Sequence, residues 1–175
     1  YVISPLFFPG GNIGELAVHG TVNDLAVSGA KPLYLSCGMI IEAGFPTDSL
    51  RKIVKSMKRA ADEAGVKIVT GDTKVVHRGA ADQLFINTAG VGVIRSGISM
   101  SAQKIQVGDS IIVNGYLGDH GAAILLARKE LDIQAEIESD TQALNGLVDT
   151  ILDVCMEVRA LSLIHISEPT RPRSI

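Results

Sequence analysis

Apolar and polar residues alternate in blocks whose period changes along the chain, and those changes mark the elements. From Ile13 to Gly29 the residues are almost all small or apolar with few charges, which predicts a largely buried helix. Leu33 to Ile41, opened by Pro32, has the length and composition of a strand. Leu50, Ile53, Val54, Met57, Ala60, Ala61 and Ala64 then recur every three or four residues, the signature of an amphipathic helix. Thr47 or Asp48 is its expected N-cap and Gly65 its stop. Val66–Thr70 is a short buried strand predicted to end at Gly71-Asp72-Thr73. A turn around Arg78-Gly79 leads to a longer strand over Gln83–Ile94. These elements form a strand-helix-strand-strand unit.

Between Arg95 and Gly108 the apolar content thins around Ser96, Gly97, Ser99 and Ser101, which predicts a domain boundary. Beyond it, Ser110–Gly115 reads as a strand, Asp119–Leu131 as a helix, and Thr141–Ala160 as a second helix. Leu144, Leu147, Val148, Ile151, Leu152 and Cys155 are expected on one face of that second helix. The predicted organisation is α/β throughout, with a first domain over 1–95 and the start of a second over 96–160. Tyr1-Val2-Ile3-Ser4-Pro5 has the character of a strand interior, so an earlier start is expected. From Leu161 to Ile175 the amphipathic pattern is lost. That stretch resembles the translated end of a sequencing adapter and is expected to lie outside the fold.

With 46% hydrophobic residues in 175, the chain can bury a core and belongs to the globular class. Lys and Arg total 16 against 19 Asp and Glu, and Arg171-Pro172-Arg173 is the one basic run, so there is no electrostatic footprint for nucleic acid or an anionic membrane. No apolar run approaches the roughly 20 residues a membrane-spanning helix requires, and a cytoplasmic protein is expected. Cys37 and Cys155 are too few for a disulfide framework and lack metal-ligand spacing; both are expected as small buried hydrophobes.

Three motifs carry candidate chemistry. Asn23-Asp24 lies inside an apolar helix that supplies no Lys or Arg one turn away. There Asp24 either needs a metal ion or hydrogen-bond donors, or occupies a narrow exposed stripe or salt-bridges to a distant residue. Gly71-Asp72-Thr73-Lys74 offers a carboxylate, a hydroxyl and an ammonium where a strand is expected to leave the core. Hard oxygen ligands suit magnesium and a lysine suits phosphate oxygens, while an ordinary solvated turn is the alternative. Gly118-Asp119-His120-Gly121 opens a predicted helix. Its free N–H groups could hold an anion, with Asp119 as N-cap and His120 facing a ligand. Pro9-Gly10-Gly11 is a loop signal, and no P-loop occurs.

These motifs, with Phe7-Phe8-Pro9-Gly10-Gly11-Asn12-Ile13-Gly14 and Gly29-Ala30-Lys31-Pro32, resemble the HypE carbamoyl dehydratases over nearly all of Tyr1 to Ala160. That family shares a superfamily with aminoimidazole ribonucleotide synthetase, selenophosphate synthetase and thiamine-monophosphate kinase. The resemblance implies a PurM-like ATP-binding domain that pairs in a homodimer, followed by a second α/β domain. It further implies that Asp24 and Asp72 hold Mg2+ with ATP, that Asn23 and Thr73 support the site, and that Lys74 acts on the phosphate or carbamoyl oxygen. The implied reaction is ATP-dependent dehydration of a carbamoyl group on a carboxy-terminal cysteine to a thiocyanate, for the cyanide ligands of nickel-iron hydrogenases. The implied partners are the carbamoyltransferase HypF and the HypC–HypD scaffold. Neither Cys37 nor Cys155 is placed to be the acceptor, so the chain alone is expected not to complete the reaction. Another phosphotransferase or ligase of the superfamily, or a dimerising piece without activity, remains the alternative.

Overall fold

The computed structural model describes residues 1–130, 135–155 and 157–163. A two-residue hairpin, β1 (Phe7–Phe8) with β2 (Gly11–Asn12), leads directly into α1 (Ile13–Val27). Asn12 caps that helix, its Oδ1 accepting from the Gly14 and Glu15 amides, and Gly29 turns the chain out at φ +86°. β3 (Ala30–Glu42) follows, then α2 (Thr47–Glu63), β4 (Lys67–Val76) and β5 (Leu84–Ile94). The N-cap of α2 is Pro46, with no side-chain cap bond, so Thr47 and Asp48 stand in the first turn rather than capping it. Gly65, at φ +69°, ends the helix as expected.

The three long strands form one sheet in the order β4-β3-β5, with β3 parallel to β4 and antiparallel to β5. The α2 crossover is what permits the parallel pair. Both helices cover one face. Ile13, Val18 and Val22 of α1, Ile53 and Met57 of α2, and Leu35, Leu84 and Ile86 of the sheet make the core. Gly14 lets the helices close up, because a Cβ there would stand 2.6 Å from the Ile53 carbonyl oxygen. On α2 the buried stripe takes in Ser56 and leaves Val54 46% exposed, opposite to the periodicity of the apolar residues. The Ser56 hydroxyl donates to Asn12 Oδ1 at 2.8 Å, which satisfies a polar group in the core.

The opposite sheet face has no layer on it among the described residues. Pleat alternation sets Tyr34 and Ile40 of β3 on that face beside their partners Val91 and Phe85 of β5, and Tyr34, Ile40 and Val91 are 46%, 41% and 61% exposed.

After β5 the chain passes a 3-10 turn (Ala102–Lys104) to α3 (Asp119–Ala127) and α4 (Asn145–Val154). The strand expected over Ser110–Gly115 does not form. Ile111 and Ile112 are 93% and 90% exposed with no strand beside them, and a strand gains its hydrogen bonds from a neighbour. α4 is shorter than Thr141–Ala160 and buries Val148 and Leu152 against Ala26 of α1, while Leu147 is half-exposed. Cys155 is the extended residue after α4 and is exposed, contrary to expectation, whereas Cys37 is buried as expected. Leu131 at the predicted end of α3, Met156, and 164–175 of the expected tail lie outside the described residues. Within the described residues no helix is long and apolar enough to cross a membrane.

Candidate functional site

Gly71-Asp72-Thr73-Lys74 is mid-strand. β4 continues to Val76, so the motif pairs with β3 through Gly71–Cys37, Asp72–Gly38, Thr73–Met39 and Lys74–Ile40. The strand was expected to end there because Gly-Asp favours turns. It continues because Gly71 packs its backbone on β3 so closely that a Cβ would overlap the Cys37 carbonyl oxygen. β4 is the sheet edge and is exposed along its length up to Val75, against the buried strand expected for Val66–Thr70. Cys37 points into the core, so alternation puts Gly38 and its partner Asp72, with Lys74, on the uncovered face. Asp72 Oδ1 accepts from the Thr73 amide at 2.8 Å, and among the described residues neither Asp72 nor Lys74 is in an ion pair.

Asp24 is exposed on α1, as the stripe reading expects, and among the described residues no salt bridge engages it. Asn23 beside it is buried and faces elsewhere. Its Nδ2 donates to the Gln142 carbonyl at 2.9 Å and its Oδ1 accepts from the Leu144 amide at 2.7 Å. The chain thus brings Asn23 to the segment before α4, and does not bring Asp24 and Asp72 together. The donor chemistry is nevertheless right for a hard cation. Both carboxylates are accessible oxygen donors without a competing ammonium or guanidinium partner among the described residues. Among the described residues no three His, Cys, Asp or Glu side chains cluster as a metal cage. Magnesium does not require one, since it is commonly held by one or two carboxylates with phosphate oxygens and water.

α3 begins with Gly118 as its N-cap at φ +88°, so Asp119 is a first-turn residue, not the cap. Glycine wins the position because a left-handed backbone there strains any side chain. His120 is half-buried, its Nδ1 2.9 Å from Ser139 Oγ and its ring edge-on to Phe8 at 5.4 Å between centroids. The imidazole therefore ties α3 to the hairpin and to Ser139.

A second polar cluster was missed in the sequence. Asn12, Glu15, His19 and Ser56 are all buried. Glu15 Oε2 accepts from Asn12 Nδ2 at 2.9 Å and Oε1 from Arg59 of α2. His19 Nδ1 is 3.4 Å from Thr141 Oγ1, and its Nε2 is buried without a hydrogen-bond partner. Burial holds the imidazole below its ordinary pKa, against the opposing pull of Glu15 and Glu63 and with the help of Arg59. The available signal was Glu15 and His19 at i,i+4 in an otherwise apolar helix.

At the far end of β4, Glu42 accepts from the backbone amides of Gly79 and of Gln83, the latter at 3.1 Å. Those bonds, first Gly79 and then Gln83, with Arg78 nearby, hold its carboxyl below the usual range. Glu42 thereby fixes the loop that follows the Asp72 strand.

An open sheet with two helices on one face and acids on separate elements defines a class, and the comparison with known proteins agrees: residues 1–94 match the AIR synthase related protein N-terminal domain. The chain belongs to that family. Within it, the sequence is 61% identical over 148 residues to the carbamoyl dehydratase HypE of Bradyrhizobium diazoefficiens, covering 85% of this chain and 43% of the relative. The solved HypE–HypF complex matches with TM-score 0.90 and 51% identity, over 93% of this chain and 53% of that one. A HypE structure in complex with ATP matches with TM-score 0.83 and 52% identity, over 87% and 45%. The chain spans about half the length of the curated relatives it matches.

Proposed function

We propose that this chain is the ATP-handling part of a HypE-type carbamoyl dehydratase. The observation that carries the proposal is the 61% identity over 148 residues to a protein of that name. ATP as the nucleotide is supported by the matching HypE–ATP complex. The whole protein then phosphorylates the oxygen of a carbamoyl group on a carboxy-terminal cysteine sulfur, and loss of phosphate leaves the thiocyanate. Phosphorylation turns a poor leaving group into a good one.

In this reading Asp24 and Asp72, which stand apart in the single chain, would each offer a carboxylate to Mg2+ bound with the nucleotide phosphates, and the ion would supply charge neutralisation. Thr73 supports the site through its backbone amide, which donates to Asp72 Oδ1. Lys74, exposed and unpaired, is the cation for a phosphate or carbamoyl oxygen. Asn23 supports the site by holding the segment beside Asp24, and His120 by holding α3. The chain divides near Arg95 into a nucleotide domain over 1–95 and the start of a second domain over 96–160. The uncovered apolar face around Tyr34, Ile40 and Val91 is the surface for a second copy, which makes the working unit a homodimer. HypF is a partner by similarity to the HypE–HypF complex, and the HypC–HypD scaffold is the receiver in a cytoplasmic maturation pathway.

Titration calorimetry with Mg-ATP tests the nucleotide site. Binding is expected in the unmodified chain and lost on chelating the metal. Asp72→Asn and Asp24→Asn should each weaken it about tenfold to a hundredfold, the effect of losing about 1.5–3 kcal/mol of charged contact. Equal affinity in the variants would remove the metal assignment, and no heat at all would leave the purely dimerising reading.

A further inference from the structure

Segment 139–144, which has no regular secondary structure, crosses α1 as a strap. It is held at two points of one helix face, by His19 and by Asn23 four residues on. Its near end is tied to the glycine turn, where the Ser139 amide donates to the Pro9 carbonyl at 2.9 Å, and to α3 through His120. Gly10 has no room for a side chain, since a Cβ would stand 2.6 Å from the Ser139 nitrogen.

We propose that His19 and Asn23 form a two-point clamp on this strap, and that His19 is the acid-sensitive point, releasing 139–144 when its imidazole takes a second proton. The geometry gives the imidazolium an acceptor for one of its two N–H groups, the Thr141 hydroxyl, and none for the other among the described residues. His19 is 6% exposed, and among the described residues its Nδ1 is within reach of the Thr141 hydroxyl alone and its Nε2 has no partner. A proton added at either nitrogen creates a charge with one buried N–H unsatisfied. The carboxylate one turn earlier, Glu15, makes no hydrogen bond to the ring: its Oε1 accepts from Arg59 and its Oε2 from Asn12, and it favours the charged ring only through space, a pull that burial outweighs. From α2 the ring faces the opposed charges of Glu63 and Arg59, and from the strap the uncharged Thr141 hydroxyl. The strap's own carboxylates, Glu138 and Asp140, are exposed. Opening the strap lets water reach the ring.

The sign follows. Burial depresses the folded pKa beneath the ordinary 6.5, so the closed strap is fully favoured above that value. It is lost progressively as pH falls from there through the folded pKa. The strap also carries the anchor of His120 and of the Pro9–Gly11 turn, so acid would free both.

Amide exchange, corrected for intrinsic rates and read at Leu144 and Ser139 at about pH 7.5 and about pH 5, tests the clamp. In the intact chain both amides should lose protection several-fold at the lower pH while Val18 and Val22 of α1 keep theirs. His19→Gln, which keeps a polar group and cannot charge, should abolish the difference. Unchanged protection in the parent chain overturns the proposal, and so does an equal acid response in H19Q. Should H19Q not fold, NMR titration of the parent ring decides: the imidazole must titrate together with the Leu144 amide, and a ring that charges while the strap stays protected sinks the idea.

Discussion

The Leu144 amide donates to Asn23 Oδ1 at 2.7 Å, joining residues 121 positions apart in the chain. With the Nδ2 bond to Gln142 it uses both ends of one amide to hold the backbone that leads into α4. If Asn23 supports the nucleotide site as proposed, these two hydrogen bonds offer a route that needs no ligand contact. Asn23→Ala strands a backbone donor and acceptor in a part-buried position, which costs about 2 kcal/mol. Urea unfolding of the ATP-free chain should record that loss. If stability is unchanged and nucleotide affinity alone falls, Asn23 acts on the nucleotide directly.

Gly14 is required by packing. A Cβ there meets the Ile53 carbonyl oxygen at 2.6 Å and Met57 Cγ at 2.8 Å, and the first of these is backbone that cannot swing aside. Gly14→Ala should therefore destabilise the chain by about 1–3 kcal/mol, despite alanine's better helix propensity. Thermal unfolding should show the midpoint falling by about 2–4 °C per kcal/mol. A rise in midpoint would mean that propensity outweighs the clash.

Glu42 makes the loop 79–83 pH-sensitive. Its folded pKa lies below the usual 4.5 because the Gly79 and Gln83 amides bond the charged form. The stabilisation is present above 4.5 and disappears as pH falls through the folded value. Glu42→Gln keeps the size and one acceptor but not the charge. The variant should show faster amide exchange at Gly79 and Gln83 at neutral pH, and little further change on acidification. An acid response in E42Q equal to that of the parent would assign the effect to another group.

Much of the fold was legible because its signals were periodic. α2 and the length of β5 follow from spacing and composition alone, and Gly65 and Gly29 stop elements where glycine is needed. Errors fell where tertiary contact overrides local preference. Gly71-Asp72 reads as a turn until β3 lies beside it, when the missing Cβ becomes the reason the strand continues. Ser110–Gly115 has strand residues and no neighbour to pair with. The candidate site was legible as chemistry and not as geometry. Residue types pointed to oxygen ligands and a lysine, but the pleat that turns Asp72 and Lys74 away from α1, and the amide bonds that aim Asn23 at Leu144, depend on contacts between distant residues.

The uncovered sheet face gives the last prediction. Tyr34 and Val91 are cross-strand partners on it, 46% and 61% exposed, with Ile40 and Phe85 further along the same face. In a lone copy Val91→Asp should change stability by no more than about 0.5 kcal/mol, because the position already faces water. In a homodimer that covers this face, the new carboxylate is buried against its symmetry mate and against Tyr34. An unpaired buried charge costs several kcal/mol, so the dimer dissociation constant should rise on the order of a hundredfold or more. Sedimentation equilibrium on the two chains measures this directly. A parent dimer that V91D converts to folded monomer places the interface on the β3–β5 face, whereas a V91D dimer as tight as the parent's moves the contact elsewhere, to the open edge of β4 first.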